Sequence, residues 1–195
     1  MGSQEPKAVT INVTGFKKFQ GIAHNPTETI VNNLKNFVES KGLLPAGVTL
    51  RSCTVLETAG SGALPLHLGV DGGARKFTLE QQAVNEASFF CPDELGWQPM
   101  RQPIVADDGG IPRKRQTTCS IEAILRFLKN KGYAAMTSND AGLFICNYVY
   151  YQSLRFAEQK GHKSLFVHVP LFSTINEETQ MQFVASLLEA IASTC

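Results

Sequence analysis

Tyr133-Ala134-Ala135-Met136-Thr137, followed by Ser138-Asn139-Asp140-Ala141-Gly142-Leu143-Phe144-Ile145-Cys146-Asn147, is the stretch on which the reading of the fold turns. A short apolar run with strand character gives way to small and polar turn residues. Helical spacing then begins, with Tyr150, Leu154 and Ala157 on one face and Gly161 as the stop. Strand, loop and helix in succession form the basic unit of an α/β protein. Cys146 opens the helix. Peptide N–H groups in a first helical turn lack internal partners and, with the helix dipole, favour an anion, so a thiol there is placed to act as a thiolate nucleophile.

The same alternation extends in both directions. Downstream, residues 164–169 form a nearly continuous apolar strand ending at Pro170, and a last helix over 176–191 carries Met181, Val184, Leu188 and Ile191. Upstream, a helix starts at Ser120, places Ile121, Ile124, Leu125 and Leu128 on one face, and stops at Gly132. Near the N-terminus, a strand over 8–13 ends in Thr14-Gly15-Phe16. Asn25 then caps a helix with Pro26 at its first position, Glu28 completing a capping box, and Ile30, Leu34, Phe37 and Val38 facing inward. Residues 48–55 read as a second strand, and His67-Leu68-Gly69-Val70 as the end of a third that runs into Asp71-Gly72-Gly73. The pattern predicts a three-layer α/β/α sandwich with a mixed, largely parallel central sheet. It forms a single catalytic domain over 1–195, with 1–7 as a disordered tail. Four polar loops follow proposed strands, and the expectation is that they converge at one sheet edge, where open α/β sheets hold ligands.

Composition narrows the function classes. A net charge of +1 gives no electrostatic reason for nucleic-acid or anionic-membrane binding, and no apolar run approaches a membrane span. Arg113-Lys114-Arg115 reads as a solvated loop. The N-terminal residues lack a signal-peptide core. Five cysteines without Cys-x-x-Cys spacing argue for reduced thiols and a cytoplasmic protein rather than a disulfide framework or a zinc site. A homo-oligomer is left open.

A thiolate nucleophile needs a base that later protonates the leaving amine, and imidazole suits both tasks. Of four histidines, His168 ranks first. It alternates with Leu165, Val167 and Val169, so it leaves the strand on the opposite face near its carboxyl end. The alternative is a strand histidine that only bonds to a neighbouring loop. His162 lies in a turn and reads as solvent-exposed, His24 precedes a helix cap, and His67 begins a strand. Spacing does not select an acid to orient the ring.

Four blocks of sequence together resemble the pyroglutamyl peptidases, also called pyrrolidone carboxyl peptidases. They are Val13-Thr14-Gly15-Phe16-Lys17-Lys18-Phe19 with Asn25-Pro26; Gly69-Val70-Asp71-Gly72-Gly73 with Glu80 and Asn85; residues 138–147; and Phe166-Val167-His168-Val169-Pro170. The resemblance implies a triad of Glu80, Cys146 and His168, with Glu80 holding the imidazole tautomer. It implies a pocket for the lactam ring at Phe16, Phe19, Phe144 and Ile145, with Val70 where the family binds the lactam amide through its main chain. The implied activity is a cysteine exopeptidase that removes an N-terminal pyroglutamyl residue from a peptide substrate, without metal or cofactor.

Two departures from the family stand out. Many members carry an arginine about ten residues after the glutamate, expected to support the oxyanion, whereas Phe90 is the nearest match here. Family members also place a helix and most of a strand before the Gly-rich turn, while only residues 57–66 lie there, and a helical crossover needs about 10 to 12 residues at least. The shortened crossover is expected to leave apolar sheet surface uncovered. Both departures motivate an alternative, a catalytically impaired relative that binds pyroglutamyl peptides or a protein partner. A phosphate-binding loop at Asp71-Gly72-Gly73 is a weaker reading because it lacks a Walker lysine.

Overall fold

In the computed structural model, which describes residues 8–18, 22–55 and 64–194, six strands form one sheet in the order β2-β1-β3-β8-β4-β7. Its parallel half is β1 (Val9–Gly15), β2 (Val48–Val55), β3 (Leu64–Val70) and β8 (Leu165–Val169). The short strands β4 (Phe77–Glu80) and β7 (Ala135–Ser138) run parallel to each other and antiparallel to β8. The sheet is therefore mixed and mostly parallel.

Alternation sorts the side chains onto two faces. Ile11, Val13, Leu66, Leu68, Phe77, Leu79, Leu165, Val167 and Val169 enter one core with helices α1 (Pro26–Ser40), α2 (Ile121–Asn130) and α4 (Glu177–Thr194). Asn25 caps α1 by accepting the Thr27 N–H at 3.0 Å, which supports its reading as an N-cap. The helix α4 lies between α1 and α2 and is buried nearly all round, with Phe183 stacked on Phe77 at 3.6 Å between ring centroids. Burying one such side chain contributes roughly 1.5–3 kcal/mol. Helix α3 (Ile145–Lys160) covers the other face together with the two-stranded antiparallel ribbon of β5 (Gln82–Val84) and β6 (Lys114–Gln116).

Three sequence expectations change. The carboxyl end of β7 points away from that of β8, so the four loops do not leave from one edge, although those after β3 and β7 still line one cavity with His168. Instead the loop after β7 carries Cys146 back over the α3 face of the sheet, where an ideal Cβ on Gly69 would lie 3.1 Å from its sulfur. Second, Arg113-Lys114-Arg115 is not a solvated loop: Lys114 and Arg115 belong to β6, and Arg115 pairs with Asp108 at 2.7 Å and with Glu158. Third, the face of β1 and β2 opposite α1 is polar. A bulge at Arg51 resets the alternation, so that Asn12 pairs with Ser52 and Thr14 with Thr54, and Ser52 Oγ donates to Asn12 Oδ1 at 2.9 Å. Water satisfies such a surface, so these described strands present no apolar face there. Most of the shortened crossover, residues 56–63, and the tail at 1–7 lie outside the described residues.

Candidate active site

The turn that delivers Cys146 is built from its own side chains. Ser138 Oγ accepts the Asp140 N–H at 2.9 Å and Asp140 Oδ1 accepts the Gly142 N–H at 3.0 Å. Gly142 then adopts φ +78, a conformation that disfavours any residue with a Cβ. Phe144 is the N-cap residue, which places Cys146 in the first turn of α3. Asn147, 1% exposed, anchors that turn: its Nδ2 donates to the carbonyls of Val84 and Glu86, and its Oδ1 accepts the Val84 N–H, each at 2.9 Å. Cys146 therefore rests on β5 through a neighbour that the sequence marks only as part of a motif.

His168 and Glu80 come from adjacent antiparallel strands and project on the α3 face. His168 Nδ1 donates to Glu80 Oε1 at 2.8 Å, which leaves Nε2 as the ring nitrogen for the hydrogen bond with Cys146. Glu80 is 1% exposed, and the Tyr150 hydroxyl of α3 donates to its main-chain carbonyl at 2.8 Å. Burial alone would lower the pKa of His168; hydrogen bonds and charges from Cys146 and Glu80 outweigh that and raise it from 6.5 to about 10. Phe166 packs against the His168 ring, with centroids 4.9 Å apart.

A cavity of about 850 Å³ opens over these groups, and Glu80, Cys146 and His168 all line it. Val70 and Phe144 line it too. Phe16 packs beside the site on Phe166, with ring centroids 6.2 Å apart, and Ile145 is half-buried in the first turn of α3. Phe19 lies outside the described residues. Phe90 occupies the cavity wall with its ring 4.7 Å from Phe144, while the arginine and lysine that line the cavity among the described residues are Arg75 and Lys76.

The model of the family described as pyroglutamyl peptidase matches residues 9–192. The chain belongs to the pyroglutamyl peptidase family. It is 34% identical to the pyrrolidone-carboxylate peptidase of Pyrococcus furiosus over 81% of this chain and 79% of that protein. The Klebsiella pneumoniae protein of the same name is 33% identical over 81% and 76% of the two chains. Among solved structures, the pyrrolidone carboxyl peptidase of Fervidobacterium islandicum superimposes with a TM-score of 0.83 at 28% identity, covering 96% of this chain and 100% of that one. The Pyrococcus furiosus enzyme does so with a TM-score of 0.82 at 26% identity, covering 95% and 99%.

Within this pyroglutamyl peptidase fold lies a polar feature that the sequence did not disclose. His67 is not at the start of its strand but inside β3 and 1% exposed. Its Nδ1 meets Thr14 Oγ1 at 2.7 Å, its Nε2 meets Ser153 Oγ at 2.8 Å, and Ser153 continues to Ser164 Oγ at 2.8 Å. Burial lowers its pKa from 6.5 to about 4, so the ring is neutral. It stacks on Phe166, whose ring also packs against His168. Gly69 in the same strand marks a different close approach, to Phe166 and the Cys146 sulfur.

Proposed function

We propose that this chain is a cysteine exopeptidase that hydrolyses the amide bond after an N-terminal pyroglutamyl residue and releases pyroglutamate. The observation that carries the reading is the Glu80–His168 bond of 2.8 Å opening onto the same cavity as Cys146. Cys146 attacks the pyroglutamyl carbonyl carbon as a thiolate. The amide C–N bond breaks as His168 Nε2 gives its proton to the leaving amine, and the acyl group stays on sulfur as a thioester. Water, deprotonated by His168, then hydrolyses the thioester and restores the thiolate and imidazolium. Glu80 fixes the ring so that Nδ1 stays bonded and Nε2 faces the substrate.

Main-chain N–H groups at the start of α3 receive the oxyanion, because no helical partner claims them and the dipole favours charge there. Phe90 stands at the nearest match to the family arginine, so this role falls more heavily on the helix. Phe16, Phe19, Phe144 and Ile145 are assigned to the lactam ring, and the main chain at Val70 to its amide. A neutral lactam suits an apolar wall, whereas a free terminal ammonium would enter as an unpaired charge. Among the described residues no helix is long and apolar enough to cross a membrane, and Cys53, Cys91, Cys119 and Cys146 are free thiols, which favours action in the cytoplasm.

Two synthetic peptides that differ only in carrying pyroglutamate or glutamine at the N-terminus test the assignment. Mass spectrometry is expected to show loss of the first residue from the pyroglutamyl peptide alone. Equal trimming of both, or of neither, contradicts it.

A further inference from the structure

We infer that Phe90 and Met136 form a recognition surface for the residue that follows pyroglutamate, so that peptides with an apolar second residue are preferred. This rests on the peptidase reading above and specifies its substrate. The cavity, at about 850 Å³, is far larger than a single lactam ring. Whatever peptide is attached to the ring must lie along the remaining wall. Two large apolar side chains stand out on that wall: Phe90 is 74% exposed and Met136 46% exposed, and both line the cavity.

Phe90 stands against an aromatic cluster. Its ring packs on Phe144 at 4.7 Å, and Phe144 packs edge-on against Phe89 at 4.7 Å, which is 1% exposed. Phe89 in turn meets Trp97 at 5.1 Å. Phe144 stands two residues before the nucleophile, and the more exposed Phe90 extends the same aromatic wall outward. A substrate that reaches Cys146 past Phe144 therefore sets its next residue against Phe90. The ionic groups on the rim balance, with Arg75 and Lys76 against Asp71 and Asp140, all of them exposed. Exposed charges in water discriminate weakly, so apolar contact decides.

The experiment compares pyroglutamyl dipeptides whose second residue is Phe, Ala, Glu or Lys, reading kcat/KM for the parent, Phe90→Ala and Phe90→Leu. The parent is expected to favour Phe over Ala about tenfold, the discrimination typical of a modest apolar contact. The Phe-to-Ala ratio should collapse toward one in Phe90→Ala and persist in Phe90→Leu, which separates lost contact from lost folding. A ratio unchanged in Phe90→Ala, or a parent that prefers Glu or Lys, overturns the inference. Should the parent cleave none of them, the peptidase reading fails by itself. Titration calorimetry with the same dipeptides then reads the preference as affinity: tighter binding of the Phe dipeptide, lost in Phe90→Ala, sustains the inference, and equal affinities or no binding overturn it.

Discussion

Gly69 leaves the space against which the Cys146 sulfur rests: a Cβ at residue 69 would stand 3.1 Å from Sγ and 2.6 Å from the Phe166 ring. Phe166 also packs on His168, so one added methyl group presses on both the Cys146 sulfur and the ring that supports His168. Gly69→Ala is expected to lower kcat at least tenfold and to cost about 1–3 kcal/mol of stability, the range for overpacking a tight core. Steady-state kinetics with thermal unfolding checks both. Parental kcat in this variant would show that the site tolerates displacement of the thiol.

The charged form of His168 is favoured by folding, and the sign of the resulting pH dependence follows. Its folded pKa is raised from 6.5 to about 10, so its stabilising contribution is complete below about pH 6.5 and disappears as pH rises toward 10. Glu80→Gln removes one of the two causes. That variant should lose less stability than the parent between pH 6.5 and 10 in denaturant titrations, and its kcat should fall because the ring is less firmly oriented. Parallel stability curves for the two proteins would count against the account of His168.

His67 acts in the opposite direction. Its folded pKa is lowered from 6.5 to about 4, so its contribution is present above pH 6.5 and is lost as pH falls through 4. The lost term is on the order of 3 kcal/mol. His67→Gln should flatten the acid limb of the stability profile, while at pH 7 it costs about 1–3 kcal/mol through the bonding groups left on Thr14 and Ser153. Unfolding midpoints from pH 4 to 7 measure both effects, and an acid limb as steep as the parent's would assign it to other groups.

Asp108 joins β6 to α3. It accepts from Arg115 at 2.7 Å, from the Tyr151 hydroxyl at 2.9 Å and from Arg155 at 3.3 Å. Asp108→Ala leaves Arg115 with Glu158 as its remaining carboxylate and the Tyr151 hydroxyl without its acceptor, and should destabilise by about 1–3 kcal/mol. The active-site bond from His168 to Glu80 lies elsewhere, so kcat per folded molecule should change little. A loss of kcat larger than the loss of folded protein would show that the β5–β6 ribbon controls the site.

Local signals account for most of what could be read from the sequence. The cap at Asn25, the stop at Gly161 and the alternation around His168 lie within single elements, and each stands in the structure as its spacing suggested. Strands β4, β5 and β6 span four, three and three residues, too short to establish a period of two. The direction of β7 depends on pairing with β4, which no local pattern encodes. Glu80 entered only through family resemblance. The His67 bonds to Thr14 and Ser153 join residues 53 and 86 positions apart, so they had no sequence signature beyond a polar residue in an apolar strand.

The central claim is that the Cys146 sulfur forms the covalent bond to the pyroglutamyl group. Its most direct test is hydrolysis of a chromogenic pyroglutamyl amide by the parent and by Cys146→Ala, with folding of both verified by circular dichroism. The account expects turnover by the parent and none above background by Cys146→Ala; turnover that survives the substitution would contradict it.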